Sequence, residues 1–380
     1  MSDMLTRLIF PIGELFLCCL LGGCAAPLPT LSREALDPYD RIVYVREHAI
    51  WGIDALGNTA KTIIDLDASI VAPTCSPNGR SIAFYSFEKK GNHARYFPWW
   101  ELSNSSAHLI VADIDRGDPV DPGTFASPVV HSGPKRLRNF RIIPPRWSPS
   151  GRKLLVTNQS GLFLVEALGD KVQLVAEDRL LASDWSPDGR TVYYTNGIDV
   201  FSVDIEGEVF QLPPRPLSEQ DVDGINVLAC SPDGSRLACG GNNKLWILNL
   251  ASSEITEICD SQFPIHWIAW LPSSDGIVFL SGLPDREVGP MRATLTAGIM
   301  SGHYRLLSVS ISDKAVVEIF HESRLDVRMA SPSLSPDGRF VAFISRPARS
   351  FEKVFVAATD GSGWRPLTAE GRCLFPTWCR

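Results

Sequence analysis

One five-residue phrase recurs along this 380-residue chain and constrains its fold more than any bulk property. It reads Ser76-Pro77-Asn78-Gly79-Arg80, Ser148-Pro149-Ser150-Gly151-Arg152, Ser186-Pro187-Asp188-Gly189-Arg190, Ser231-Pro232-Asp233-Gly234-Ser235 and Ser335-Pro336-Asp337-Gly338-Arg339. A worn copy lies at Leu271-Pro272-Ser273-Ser274-Asp275-Gly276. Proline sets the first corner of a turn, Asp or Asn closes it locally, and Gly accepts a positive φ. A tight turn repeated about every 40 residues means one small antiparallel sheet built many times, which is a β-propeller.

Aligned on the residue before the turn, the positions are Cys75, Trp147, Trp185, Cys230, Trp270 and Leu334. The chain ends on a further inner strand, Phe375 to Trp378, with no turn after it, while the first folded segment, Arg41 to Val45, has the character of a second strand. The spacing therefore predicts an all-β fold over residues 40–380, a single propeller of seven blades (six is the alternative), closed by pairing of the last strand with the first.

The intervals are informative where they break. Trp147 to Trp185 is 38 residues and Cys230 to Trp270 is 40, whereas Cys75 to Trp147 is 72 and Trp270 to Leu334 is 64. The excess falls in 87–106, 115–136 and 283–302. Connections between second and third strands leave the ring face opposite the turns, so 87–106 and 283–302 mark that face for binding. Arg95, Tyr96, Phe97, Trp99 and Trp100 are not needed to build a blade. They suit a protein or peptide anchor surface, a carbohydrate platform or the bilayer interface. The competing reading is that these rings pack on one another or plug the channel. Arg286, Arg292, His303 and Tyr304 on the other insertion could line the same recess.

Arg7, an apolar run from Leu8 to Leu21 and the small residues before Cys24 describe a secretory signal over residues 1–23. Leu21-Gly22-Gly23-Cys24 also resembles the bacterial lipobox, which implies lipidation of Cys24 and a tether over residues 24–39. An uncleaved anchor or ordinary secretion is the alternative. Ala25 after the cysteine, by the same resemblance, favours the periplasmic side of an outer membrane, or the cell surface in a one-membrane bacterium. The net charge of −7 gives no electrostatic reason to bind nucleic acid. The basic cluster Lys135, Arg136, Arg138 and Arg141 is read as loop and edge-strand surface.

The phrase with its following Ile/Leu-Ala-Phe, as in Ile82-Ala83-Phe84, resembles the TolB-like, WD40-like propeller repeat. In the last blade, Ala358 to Gly361 and Trp364 to Thr368 resemble that family's connection between third and fourth strands. The resemblance implies the fold over residues 40–380. Its family includes periplasmic scaffold proteins and propellers that gate peptidase domains. The expected function is a lipid-anchored, monomeric cell-envelope module that binds a protein or peptide partner, without metal or cofactor. The alternative is a hydrolase or lyase acting on a small or carbohydrate substrate at the channel.

The recurring tryptophans Trp147, Trp185, Trp270 and Trp378 are expected in the core, with Cys75, Cys230 and Cys239 as small buried hydrophobes. Cys230 and Cys239, or Cys373 and Cys379, are badly placed to form disulfides. Asp113, Asp115 and Asp118 suit either a polar turn or, less simply, a calcium site.

Overall fold

The computed structural model describes residues 31, 40–88, 105–132, 139–158, 160–177, 180–205, 209–212, 224–241, 243–261, 263–284, 302–320, 325–327, 332–347 and 350–379. Seven blades form a ring. Their inner strands are Cys373–Cys379 (blade 1), Ala68–Cys75 (blade 2), Arg146–Trp147 (blade 3), Ala182–Trp185 (blade 4), Val227–Cys230 (blade 5), Ile265–Trp270 (blade 6) and Ser333–Leu334 (blade 7). Ring closure follows the expected course: Cys373–Cys379 pairs antiparallel with Arg41–Arg46, placing Trp378 opposite Ile42. Second strands such as Ser81–Glu88 are buried almost throughout because a neighbouring blade covers each face. Outer strands such as Val172–Ala176 turn exposed.

The turn is built alike in four copies, while in blade 3 Ser150 stands in place of the Asp or Asn and pairs with the Ser148 hydroxyl. In blade 4 the Ser186 hydroxyl donates to Asp188 Oδ1 at 2.6 Å and accepts the Thr191 N–H at 2.9 Å, while Asp188 Oδ1 accepts the Arg190 N–H at 3.0 Å. These bonds hold the Asp188 carboxyl below the usual carboxylate range, and equivalent bonds from Ser231 and the Ser235 N–H bring Asp233 down to about 2. In the worn copy Ser274 takes the glycine position, with φ 61°.

Adjacent turns also interlock. A Cβ on Gly189 would meet Pro149 Cδ at 3.4 Å, one on Gly234 would meet Pro187 Cδ at 3.5 Å, and one on Gly338 would meet Pro272 Cδ at 2.3 Å. Each glycine thus lies against the proline of the preceding blade. The turn is both a hairpin corner and a joint between blades.

The residue before each turn supplies a second joint. The indole N–H groups of Trp147, Trp185 and Trp270 donate to the carbonyls of Thr74, Arg146 and Ala229 at 3.0, 3.2 and 2.9 Å, each in the preceding blade. In blade 5, where Cys230 stands in this register, its backbone N–H donates instead to Asp184 Oδ2 of blade 4 at 3.0 Å. In blade 1 the backbone N–H of Trp378 donates to Ser333 Oγ of blade 7 at 2.9 Å. Trp185, Trp270 and Trp378 are buried, as expected, and Trp147 is half-buried against the core.

Cys75 is a correction. It is bridged to Cys379, with a Cα–Cα distance of 5.4 Å and a sequence separation of 304. Inner strands of neighbouring blades lie side by side, so a cysteine one residue beyond Trp378 faces the one in the staple register of blade 2. Cys239 is a buried thiol and Cys230 a half-buried one, and neither belongs to that bridge.

Two features depart from the plain ring. Part of the excess between blades 2 and 3 forms a separate hairpin, Val129–Ser132 with Asn139–Ile142. In blade 6 the second and third strands lengthen to Gly276–Pro284 and Gly302–Ser310, paired up to Pro284 opposite Gly302. A short strand, Leu325–Val327, bridges Tyr304 of blade 6 and Ser345–Pro347 of blade 7 and joins the two blades in one nine-stranded sheet.

Candidate functional site

All seven inner strands line one cavity of about 180 Å³ on the ring axis. An inner strand has no pairing neighbour on its channel side, so a backbone N–H there would lack a partner. Proline removes that donor, and it stands two residues before the staple position in four blades, at Pro73, Pro145, Pro332 and Pro376. Just ahead of two of them, Ala72 and Phe375 take left-handed φ values of 52° each. There the pairing with the second strand shifts register, and the bulge brings Pro73 and Pro376 to the cavity wall.

Arg146 in the wall belongs to a small polar network between blades. Arg146 Nη1 lies 3.8 Å from Asp184 Oδ1, and the other Asp184 oxygen accepts the Cys230 N–H. One carboxylate therefore ties blades 3, 4 and 5 together. Burial raises the Asp184 pKa above the ordinary value, against the pull of Arg146 and of the backbone N–H donors of Cys230 and Trp185. A carboxyl whose folded pKa is raised binds more protons folded than unfolded. Its contribution is greatest below the unfolded pKa and declines as pH rises through the folded one. Denaturant melts between pH 4 and pH 7 should show this decline in the native protein, and Asp184→Asn should flatten it. An unchanged slope in the variant would contradict the assignment.

Beside the network, the Ser183 and Thr157 hydroxyls are hydrogen-bonded at 2.6 Å. His266 Nε2 lies 3.0 Å from the Gly282 carbonyl, and its ring meets Tyr304 edge-on at 5.5 Å. Tyr304 is 6 % exposed and belongs to the core shared by blades 6 and 7, so its ring backs His266 in the wall and is not offered to solvent. His303 lies in the same strand, opposite Leu283. Arg95, Tyr96, Phe97, Trp99, Trp100, Arg286 and Arg292 lie outside the described residues, as does Cys24.

Sequence reasoning missed Arg146 and Asp184, although the signal was present: they immediately precede Trp147 and Trp185 and are opposite charges in adjacent blades. The Asp113 carboxylate accepts the N–H groups of Asp115 and Arg116, both at 2.9 Å, and so serves a turn. Among the described residues no group of three or more His, Cys, Asp or Glu side chains could hold a metal ion.

No protein-family model and no curated protein matches the chain. Solved structures match its shape. TolB from Acinetobacter baumannii superposes with a TM-score of 0.51 at 16 % identity, over 90 % of this chain and 67 % of that one. A putative 6-phosphogluconolactonase from Bacteroides uniformis gives 0.54 at 10 % identity, over 89 % and 99 %. A chain of the mitotic checkpoint complex gives 0.51 at 14 % identity, over 86 % and 88 %. At these identities the likeness is one of fold: the chain is an all-β, seven-bladed propeller that resembles TolB-like propellers.

Proposed function

We propose that the chain is an exported propeller, anchored through Cys24, that binds an envelope protein or peptide on the face opposite its turns. The observation that carries the binding face is the blade 6 hairpin. Its strands run to Pro284 and Gly302, beyond the length a blade requires, and Leu325–Val327 clamps its end to blade 7. Both ends of the connection 285–301 are thus set on a paired ladder. Blade 2 carries the other long connection, from Glu88 to Ser105, on the same face. Export is supported by the Cys75–Cys379 bridge, which suits an oxidising compartment. It is supported further by the lipobox-like sequence and by the resemblance to a family that includes periplasmic scaffold proteins. Arg95, Tyr96, Phe97, Trp99 and Trp100, with Arg286, Arg292 and His303, are the proposed contact residues.

Crosslinking in intact cells, followed by purification of the protein, tests this reading. The intact chain should carry a defined envelope partner that a chain lacking residues 88–105 loses, while both melt cooperatively. Equal capture by the two chains would overturn the binding-face assignment. A Cys24→Ala protein that stays in the membrane fraction would overturn the lipidated anchor.

A further inference from the structure

The course of the tether bears on which way the ring faces, an inference that rests on lipidation of Cys24. Second strands run from the turn face to the opposite face. Asp40 precedes the second strand of blade 1, and its carbonyl accepts the Ala55 N–H at 2.9 Å, so the chain joins the ring at the turn face. Leu31 marks the path before that point. Its N–H donates to the Trp364 carbonyl at 3.2 Å, where the outer strand of blade 7 leaves its turn-face connection. Its side chain packs on the core cluster containing Ile53, Ala55 and Leu367, at the seam of blades 7 and 1. Nearby, Arg365 Nη2 donates to the Leu56 carbonyl and closes the same seam. The stretch from Cys24 to Leu31 can extend to at most about 25 Å.

We propose that Leu31 docks the tether at the turn-face end of the blade 7–blade 1 seam, holding the turn face toward the membrane and the opposite face away from it. Strands of about six residues separate the faces by about 20 Å, so a short tether held at one rim fixes the order in which they meet lipid. The face with the two long connections then addresses a protein or peptide partner away from the membrane surface. The aromatic run from Tyr96 to Trp100 is accordingly not a bilayer contact.

Leu168, 78 % exposed in the turn-face connection of blade 3, and Ile198, 64 % exposed at the opposite face of blade 4, are suitable reporters. A genetically encoded fluorescent amino acid at each position, in full-length lipidated protein, is placed in phosphatidylethanolamine–phosphatidylglycerol vesicles carrying a headgroup acceptor. Energy transfer from position 168 should exceed that from 198 by about twofold or more for faces about 20 Å apart. Leu31→Asp should still float with the vesicles but lose this difference. Equal or reversed transfer in protein that floats would overturn the orientation alone. A difference that survives Leu31→Asp would overturn the dock. Failure to float would remove the lipidated anchor, and the orientation with it.

Discussion

Cutting the Cys75–Cys379 bridge, by reduction or by Cys379→Ser, is expected to destabilise the ring by about 4–5 kcal/mol, near the upper end for disulfides because the loop it closes is so long. The sequence separation of 304 spans nearly the whole propeller. The bridge also occupies the register in which Trp147, Trp185 and Trp270 staple other blades to their predecessors. Its loss therefore removes both a chain constraint and the blade 2–blade 1 staple. Calorimetry of oxidised and reduced protein should show the melting temperature falling by about 7 °C for a chain of this size. Hydrogen exchange should show the closing strand Cys373–Cys379 losing protection before the inner strands of blades 3 to 6. Cys75→Ser should match Cys379→Ser, and the double variant should add nothing further. A shift below about 1 °C in all three would mean that strand pairing with Arg41–Arg46 alone holds the ring closed.

Gly338→Ala should cost about 2–4 kcal/mol, combining an unfavourable left-handed backbone with overpacking. Gly338 has φ 75°, and an added Cβ would stand 2.3 Å from Pro272 Cδ of the preceding blade. Gly151→Ala is the control. It has φ 68°, but its Cβ would lie 3.7 Å from Pro77 Cδ, an ordinary contact. It should show only the conformational part, about 1–2 kcal/mol. Urea melts of the two variants isolate the joint between turns. Equal losses would show that the turns fold independently of their neighbours.

The repeat phrase made the architecture legible because each copy needs the same residues for the same bonds: Ser186 and Asp188 in blade 4 do what Ser231 and Asp233 do in blade 5. Ring closure was legible because Arg41 to Val45 has the character of a second strand and Phe375 to Trp378 that of an inner one. The disulfide was harder to see. Cys75 and Cys379 become neighbours only when inner strands of adjacent blades are set side by side, and sequence spacing within one hairpin says nothing of that. Tyr304 was placed on an insertion by its position in a long interval. Pairing continues through Gly282 opposite Tyr304, however, so the residue lies inside the sheet and is buried. Arg146 and Asp184 are surface-type residues by composition. Only their shared register reveals that they meet across adjacent blades.

The bridging strand Leu325–Val327 changes what counts as a unit of the ring. Blades 6 and 7 share one hydrogen-bonded sheet, whereas each of the other five blades forms its own four-stranded sheet. Neighbouring blades elsewhere are coupled by side-chain packing, isolated hydrogen bonds such as that from the Ile225 N–H to the Gly197 carbonyl, and one disulfide, and no continuous sheet crosses those junctions. The fused pair cannot part without breaking backbone ladder bonds. In folding and in thermal fluctuation the seven-bladed ring is therefore expected to divide into six cooperative pieces, one of them twice the size of the others, a division that native-state hydrogen exchange would read as common protection of blades 6 and 7.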